Sequence, residues 1–254
     1  MVKMLDEREL EKYNRQIIIS NFGTEGQEKL KSSKICVIGL GGLGSGIIYY
    51  LAAAGVGSLI IIDKDQVELS NLNRQILHYE NDKGKAKTKS AIEKISQLNP
   101  DIQITEHRVA LNPSNIEELI SGCDFVVDAS DNFETKFLVN DTCCKLGIPF
   151  VVGGVYQFEG QMMTVIPGKS ACYRCMFKEI PTPGTYPTTN KDGVMGTIAG
   201  FFGIIEANEA IKYLVFGEEE KLLVNKIMYV DLQYNTFETF QIEKDKECLS
   251  CSKL

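Results

Sequence analysis

Short β-branched runs and stretches of helical spacing alternate along most of this chain. After a polar N-terminal segment of helical character, Lys34-Ile-Cys-Val-Ile-Gly39 is a short apolar run ending in glycines, and Ser45 to Ala54 has helical composition up to Gly55. A second β-branched run, Leu59-Ile-Ile-Ile62, closes on the carboxylate of Asp63. Both runs are continuously apolar, as in parallel strands covered on both faces, so the segment predicts a compact βαβ unit. The pattern repeats. Ala91, Ile92, Ile95 and Leu98 mark one helical face ending at Asn99-Pro100, Ile102 to Thr105 reads as a strand, and Pro113 to Leu119 opens a helix. Asp124-Phe-Val-Val-Asp128 is a further buried strand with charge at its end, where a doubly wound sheet places its ligands.

Beyond Pro149 the pattern changes to alternation. Gln161 to Ile166, Lys226 to Leu232 and Thr236 to Ile242 predict antiparallel strands, the last two joined by a Tyr-Asn turn. The expected fold is α/β: a Rossmann-like, doubly wound, mostly parallel sheet extended by C-terminal antiparallel strands. One domain is expected over residues 1–254, with a nucleotide-binding half over about 30–150 and a second part over about 151–254. Pro181-Thr-Pro-Gly-Thr-Tyr-Pro187 is a loop long enough to cross over a site.

Composition narrows the classes. The 254 residues are 44% hydrophobic and 24% charged, an ordinary globular balance, and the net charge of −7 argues against a broad nucleic-acid surface. The charged N-terminus does not resemble a signal peptide, and no run reaches the roughly 18 apolar residues of a membrane span. A cytoplasmic protein with neither nucleic-acid nor membrane partners is expected.

Gly39-Leu-Gly-Gly-Leu-Gly44 fits G-x-G-x-x-G, with Asp63 at the expected distance downstream. The turn can hold an anion at a helix N-terminus and the carboxylate can take ribose hydroxyls. Taken alone, this describes an NAD(P)-dependent oxidoreductase. The neighbouring residues describe something else. Ser70-Asn-Leu-Asn-Arg-Gln75 follows the second strand, Lys87 opens the next helix, and Asp131-Asn132 follows the Asp128 strand. Two cations, several amides and a carboxylate at one sheet edge suit a triphosphate with Mg²⁺ better than a nicotinamide dinucleotide.

In this order and spacing, Tyr13-Asn-Arg-Gln16, the glycine turn, Asp63 and Asp65, the Ser70–Gln75 motif with Asn71, Asn73 and Arg74, Lys87, and Asp128 to Asn132 resemble the MoeB/ThiF/HesA adenylyltransferases, relatives of ubiquitin-activating enzymes. The resemblance implies that ATP adenylates the C-terminal glycine of a ubiquitin-like sulfur-carrier protein ending in Gly-Gly, leaving acyl-AMP and pyrophosphate, in molybdopterin- or thiamine-type sulfur transfer. It also implies a cofactor-binding set of Gly39, Gly41, Gly42, Gly44, Asp63, Asp65, Ser70, Asn71, Asn73, Arg74, Gln75, Lys87, Asp131 and Asn132. Arg15, Arg74, Lys87 and Asp131 are its catalytic set, with Asp63 on the ribose, Asp131 on the metal, and Arg15 reaching the other subunit of a homodimer. Because a carboxylate nucleophile is already ionised at neutral pH, no general base is needed, and His78 and His107 are expected to be structural or surface residues.

Cys172-Tyr-Arg-Cys175 and Cys248-Leu-Ser-Cys251 are two C-x-x-C knuckles, which together offer a closed tetrahedral shell for a structural Zn²⁺. In the resembling family the same pairs hold zinc; redox thiols are the alternative. Cys36, Cys123, Cys143 and Cys144 are expected in the core. Several family members carry a cysteine in the crossover loop where this chain has Thr189, a poor substitute for a thiolate nucleophile. Covalent capture there is therefore not expected, and sulfur is expected from a separate persulfide donor. Three other readings remain open: an NAD(P)-binding oxidoreductase, a ribosomal peptide as the substrate, and a non-catalytic scaffold that binds the carrier.

Overall fold

The computed structural model describes residues 4–182, 184–186, 188–217 and 221–252. In chain order the elements are helices α1 (Glu7–Lys12), α2 (Asn14–Ile17) and α3 (Gly23–Ser32), then strand β1 (Lys34–Ile38), α4 (Gly42–Ala54), β2 (Ser58–Ile62), α5 (Lys87–Leu98) and β3 (Gln103–His107). There follow α6 (Ile116–Ile120), β4 (Phe125–Asp128), α7 (Phe133–Leu146), β5 (Phe150–Tyr156) and β6 (Glu159–Val165). The short helices α8 (Tyr173–Met176) and α9 (Thr189–Asp192) precede the long α10 (Gly196–Phe216) and the hairpin of β7 (Lys226–Asp231) and β8 (Thr236–Gln241).

All eight strands form one sheet in the order β3-β2-β1-β4-β5-β6-β7-β8. Pairing is parallel from β3 to β5 and antiparallel from β5 to β8. The crossover from β3 to β4 carries the chain from one edge back to the far side of β1; β1 and β4 stay paired to their C-terminal ends, but the helices that follow them, α4 and α7, lie on opposite faces of the sheet and leave a crevice there. The expected change to antiparallel pairing is present, but one strand was passed over. Residues 150–156 make a fifth parallel strand, whose period is broken in the sequence by Gly153-Gly154.

Continuously apolar strands explain the layers. Ile35, Val37, Leu59, Ile61, Phe125 and Val127 face the core under α4, α5 and α10, whereas Cys36, Ile38, Ile60, Ile62 and Val126 face the core under α6 and α7. The second core also takes in Cys123, Cys143 and Cys144, all buried as expected. Helix α10 lies against α4 and the sheet, and its small residues permit the approach: a Cβ on Gly203 would come within 2.3 Å of the Leu43 carbonyl.

Candidate active site

The strand-to-helix turn is built around glycines with distinct duties. Gly39 has φ = 90°, open to glycine but costly for other residues, and a Cβ there would meet the Ala129 carbonyl at 2.8 Å. A Cβ on Gly44 would lie 2.1 Å from the Gly39 carbonyl oxygen, so the first turn of α4 closes onto the loop only because Gly44 has no side chain. Gly41 caps α4 without a side-chain hydrogen bond, which leaves the first amides of the helix directed towards the cavity with the positive end of its dipole.

Asp63, buried at the end of β2, holds this turn. One carboxylate oxygen accepts from the Leu40 amide at 2.7 Å and the other from the Asp65 amide at 2.8 Å. Burial pushes its pKa up, while Lys87 and the two amides oppose the shift. Lys87, the first residue of α5, is buried and its ammonium lies 3.2 Å from the Asp65 carboxylate. Arg74 is held over the site by donating to the Ser70 carbonyl and to the Asn73 side chain, both at 2.9 Å.

One cavity of about 820 Å³ lies at the C-terminal end of the sheet, and Gly39, Gly41, Gly42, Asp63, Asp65, Arg74, Gln75, Lys87, Asp131 and Asn132 line it. Asp131 is exposed, while Asn132 caps α7 by accepting from the Thr135 amide at 2.9 Å. The buried Gln75 Oε1 has no partner among the described residues. The bare helix amides and two cations fit a polyphosphate, and the Gln75 oxygen, an acceptor, fits a donor on the same ligand such as a hydroxyl or amino group. Five predicted residues stand apart from the cavity wall. Gly44 sits behind Gly39, and Ser70, Asn71 and Asn73 shape the loop that carries Arg74: Asn71 closes it by accepting from the Glu68 amide at 3.0 Å. Arg15, on α2, is exposed and outside the cavity.

Sequence reasoning passed over several wall residues. Lys136, one turn into α7, is buried and donates to the carbonyls of Ser130 at 2.7 Å and Gly153 at 2.5 Å. Its position one helical turn after Asn132 was the available signal. Behind Gly153 stands Glu206 of α10, fully buried and without a hydrogen-bond partner among the described residues; burial pushes its pKa far up. Towards β6 and β7 the cavity continues past Tyr156, Met162 and Tyr229, whose hydroxyl donates to Glu159 at 2.6 Å. From the crossover segment, Thr188, Thr189 and Tyr186 join the wall, and the Tyr186 ring meets Phe133 edge-on with centroids 4.7 Å apart. Pro183 and Pro187 of that loop lie outside the described residues.

On the other side of α7, the sulfurs of Cys172, Cys175, Cys248 and Cys251 all lie within 4.8 Å of one another. Tetrahedral Zn–S bonds of about 2.3 Å would place the sulfurs about 3.8 Å apart. The contacts at 3.4, 3.5 and 3.9 Å fit that shell, and the amides of Cys172 and Asp245 each point at Cys175 Sγ at 3.4 Å, as they would to a thiolate. The cage ties the C-terminal tail to α8. Among the described residues, no helix is long and apolar enough to cross a membrane.

These features define an α/β protein with a crevice suited to a nucleotide and, set apart from it, four cysteine sulfurs close enough together to hold a metal ion. The ThiF family model matches residues 13–250, and the chain belongs to that family. It is 44% identical over 253 residues to the SAMP-activating enzyme E1 of Haloferax volcanii, covering 100% of this chain and 93% of that protein. To the sulfur carrier protein adenylyltransferase of Thermus thermophilus it is 39% identical over 248 residues, covering 96% and 91%. The probable adenylyltransferase/sulfurtransferase MoeZ of Mycobacterium tuberculosis is 40% identical over 245 residues, and there the match covers 95% of this chain but 62% of the relative. E. coli MccB, solved with MccA-N7isoASN, superposes with a TM-score of 0.84 at 24% identity over 95% of this chain and 74% of that one, a likeness of fold.

Proposed function

We propose that this protein is an ATP-dependent adenylyltransferase that activates the C-terminal glycine carboxylate of a small ubiquitin-like sulfur carrier. The observation that carries the reading is the continuity of the cavity. A phosphate-binding turn and two cations at one end share a single space with an aromatic-lined passage beneath the crossover segment at the other, room for a nucleotide and an extended peptide tail to meet. The names of the relatives from H. volcanii, T. thermophilus and M. tuberculosis support it.

The chemistry then follows from the residues. A carboxylate oxygen of the tail attacks the α-phosphorus of ATP, forming the acyl–phosphate bond while the bond to the pyrophosphate oxygen breaks. No proton has to be moved to start the reaction, because the nucleophile is ionised. The obstacle is the meeting of two anions, and the α4 amides, Arg74 and Lys87 are placed to offset it. Asp63 receives the ribose hydroxyls on lone pairs left over from its two amide bonds. Lys87 exchanges its Asp65 contact for phosphate. Asp131 and Asn132 offer oxygen ligands suited to Mg²⁺, which when bound screens the phosphate charge. The four cysteines would hold Zn²⁺ with no open coordination position, a structural role.

Arg15 is exposed and does not line its own cavity, so in this reading it serves the site of a second copy in a homodimer. Thr189, at the wall, gives no thiolate for covalent capture, so a separate persulfide protein would complete sulfur transfer, in the cytoplasm. ATP–pyrophosphate exchange tests the proposal. Exchange that appears only with a carrier ending in Gly-Gly is expected. ATP binding without exchange, for any folded carrier or peptide tail offered, would leave a binding scaffold instead.

A further inference from the structure

A buried polar chain reaches the glycine turn from behind, outside the substrate-facing wall. His78, 3% exposed, lies between α5 and the turn, with Nε2 3.1 Å from the Leu40 carbonyl and Nδ1 2.9 Å from Ser90 Oγ. Ser90 Oγ accepts from the Lys94 ammonium at 2.9 Å, and Lys94 pairs with the buried Asp82. A carbonyl oxygen can only accept, so Nε2 must carry the proton. Burial, with Lys87 and Lys94 nearby, pushes His78 down to about 4 and keeps the ring neutral, so Nδ1 must accept from the Ser90 hydroxyl. The tautomer is fixed by its neighbours.

The consequence lies at Leu40. Its amide is held by Asp63 and its carbonyl by His78, so both polar groups of the one residue between Gly39 and Gly41 are committed to opposite walls. The peptide planes on either side of Leu40 are thereby oriented, and with them the direction in which the amides at the start of α4 face the cavity. We infer that His78 is a positioning residue for nucleotide binding: through its Nε2–H bond to Leu40 it sets the orientation of the phosphate-binding turn, with Ser90 and Lys94 setting the orientation of the ring. The inference rests on the adenylation reading only in taking ATP as the ligand.

Two variants separate the ends of the ring. In His78→Gln the side-chain amide reaches the Nε2 position and can still donate to Leu40. In His78→Asn it reaches only the Nδ1 position, keeping Ser90 and losing Leu40. Calorimetric titration with Mg·ATP is expected to give the Gln variant an affinity within about threefold of wild type and the Asn variant one weaker by about tenfold or more. Affinity for the carrier tail should be equal in both. Equal ATP affinities in the two variants, with wild-type binding intact, would overturn the inference and leave the adenylation reading standing. A wild-type chain that binds no ATP would overturn both. Should either variant fail to fold, the wild type still decides. With only two histidines in the chain, ¹⁵N spectroscopy can assign the ring. A neutral Nε2–H tautomer between pH 6 and 8 is expected; an Nδ1–H or charged ring would overturn the inference.

Discussion

Substituting the glycines of the phosphate-binding turn one at a time should separate what builds the site from what binds in it. A Cβ placed on Gly44 falls 2.1 Å from the Gly39 carbonyl oxygen, more than an ångström short of ordinary contact, and both atoms belong to backbone that no rotamer change can move. Gly44→Ala therefore has to push α4 off the loop, against the packing of α10 on its far side. Overpacking of this kind costs about 3 kcal/mol, and at about 2–4 °C per kcal/mol for a chain of this length the Tm should fall by about 6–12 °C. Gly41→Ala is the contrast. Its Cβ would meet only the Gln75 side-chain nitrogen at 3.6 Å, so the fold should melt within about 2 °C of wild type. The new methyl would stand where the backbone has to approach a phosphate, and ATP affinity should fall by about tenfold or more. Differential scanning calorimetry and ATP titration on both variants make the comparison. Wild-type stability in the Gly44 variant, or lost stability with full ATP affinity in the Gly41 variant, would refute the division of labour drawn from the geometry.

Asp131→Ala should abolish pyrophosphate exchange with little change in Tm, because the side chain is exposed and is held only by a long 3.4 Å hydrogen bond from Asn132 among the described residues; exchange at the wild-type rate would remove it from the metal role. Removal of the cage metal with a strong chelator should free the tail and lower the Tm, with metal release measured alongside, since ligation and folding are coupled; an unchanged Tm after verified metal loss would count against a structural ion. Glu206→Gln should alter the pH dependence of stability. The raised pKa means that the folded state keeps a proton that the unfolded chain gives up above about pH 4.5, so wild-type stability should decline from there towards neutral pH at up to about 1.4 kcal/mol per pH unit, and the Gln variant should lack that decline. Parallel denaturation curves at pH 5 and 7 for both proteins would contradict a neutral buried acid.

How much of this was legible in the sequence depends on where each residue's partners lie. The parallel strands were legible because burial on both faces leaves an unbroken β-branched run, and β1, β2 and β4 lie where those runs predict. The strand β5 was harder to see because Gly153 and Gly154 interrupt its pattern, and the structure gives the reason for the first: a Cβ on Gly153 would collide with Glu206 at 2.1 Å, a residue 53 positions away on another element. Motif residues whose work is local, such as the glycine turn with its downstream Asp63, could be read in place.

The polar groups whose partners the sequence did not reveal share the opposite property. Lys136 joins Ser130 to Gly153, Glu206 stands behind the same glycine, and His78 reaches a carbonyl 38 residues earlier in the chain. Apart from the place of Lys136 one helical turn after Asn132, they have no spacing signature: a hydrogen bond to a backbone carbonyl asks nothing of the identity of the residue that supplies it, and Glu206 makes no hydrogen bond among the described residues. In the sequence, His78 is a lone histidine after an arginine-bearing motif, and a structural role is the natural expectation. The fold makes that role more specific: the carbonyl it holds belongs to the residue between two glycines of the turn. A buried polar residue of this kind can affect ligand affinity without touching the ligand. Its effect is therefore to be measured at the nucleotide and at the ring proton, since stability alone would not distinguish it from any other well-packed core side chain.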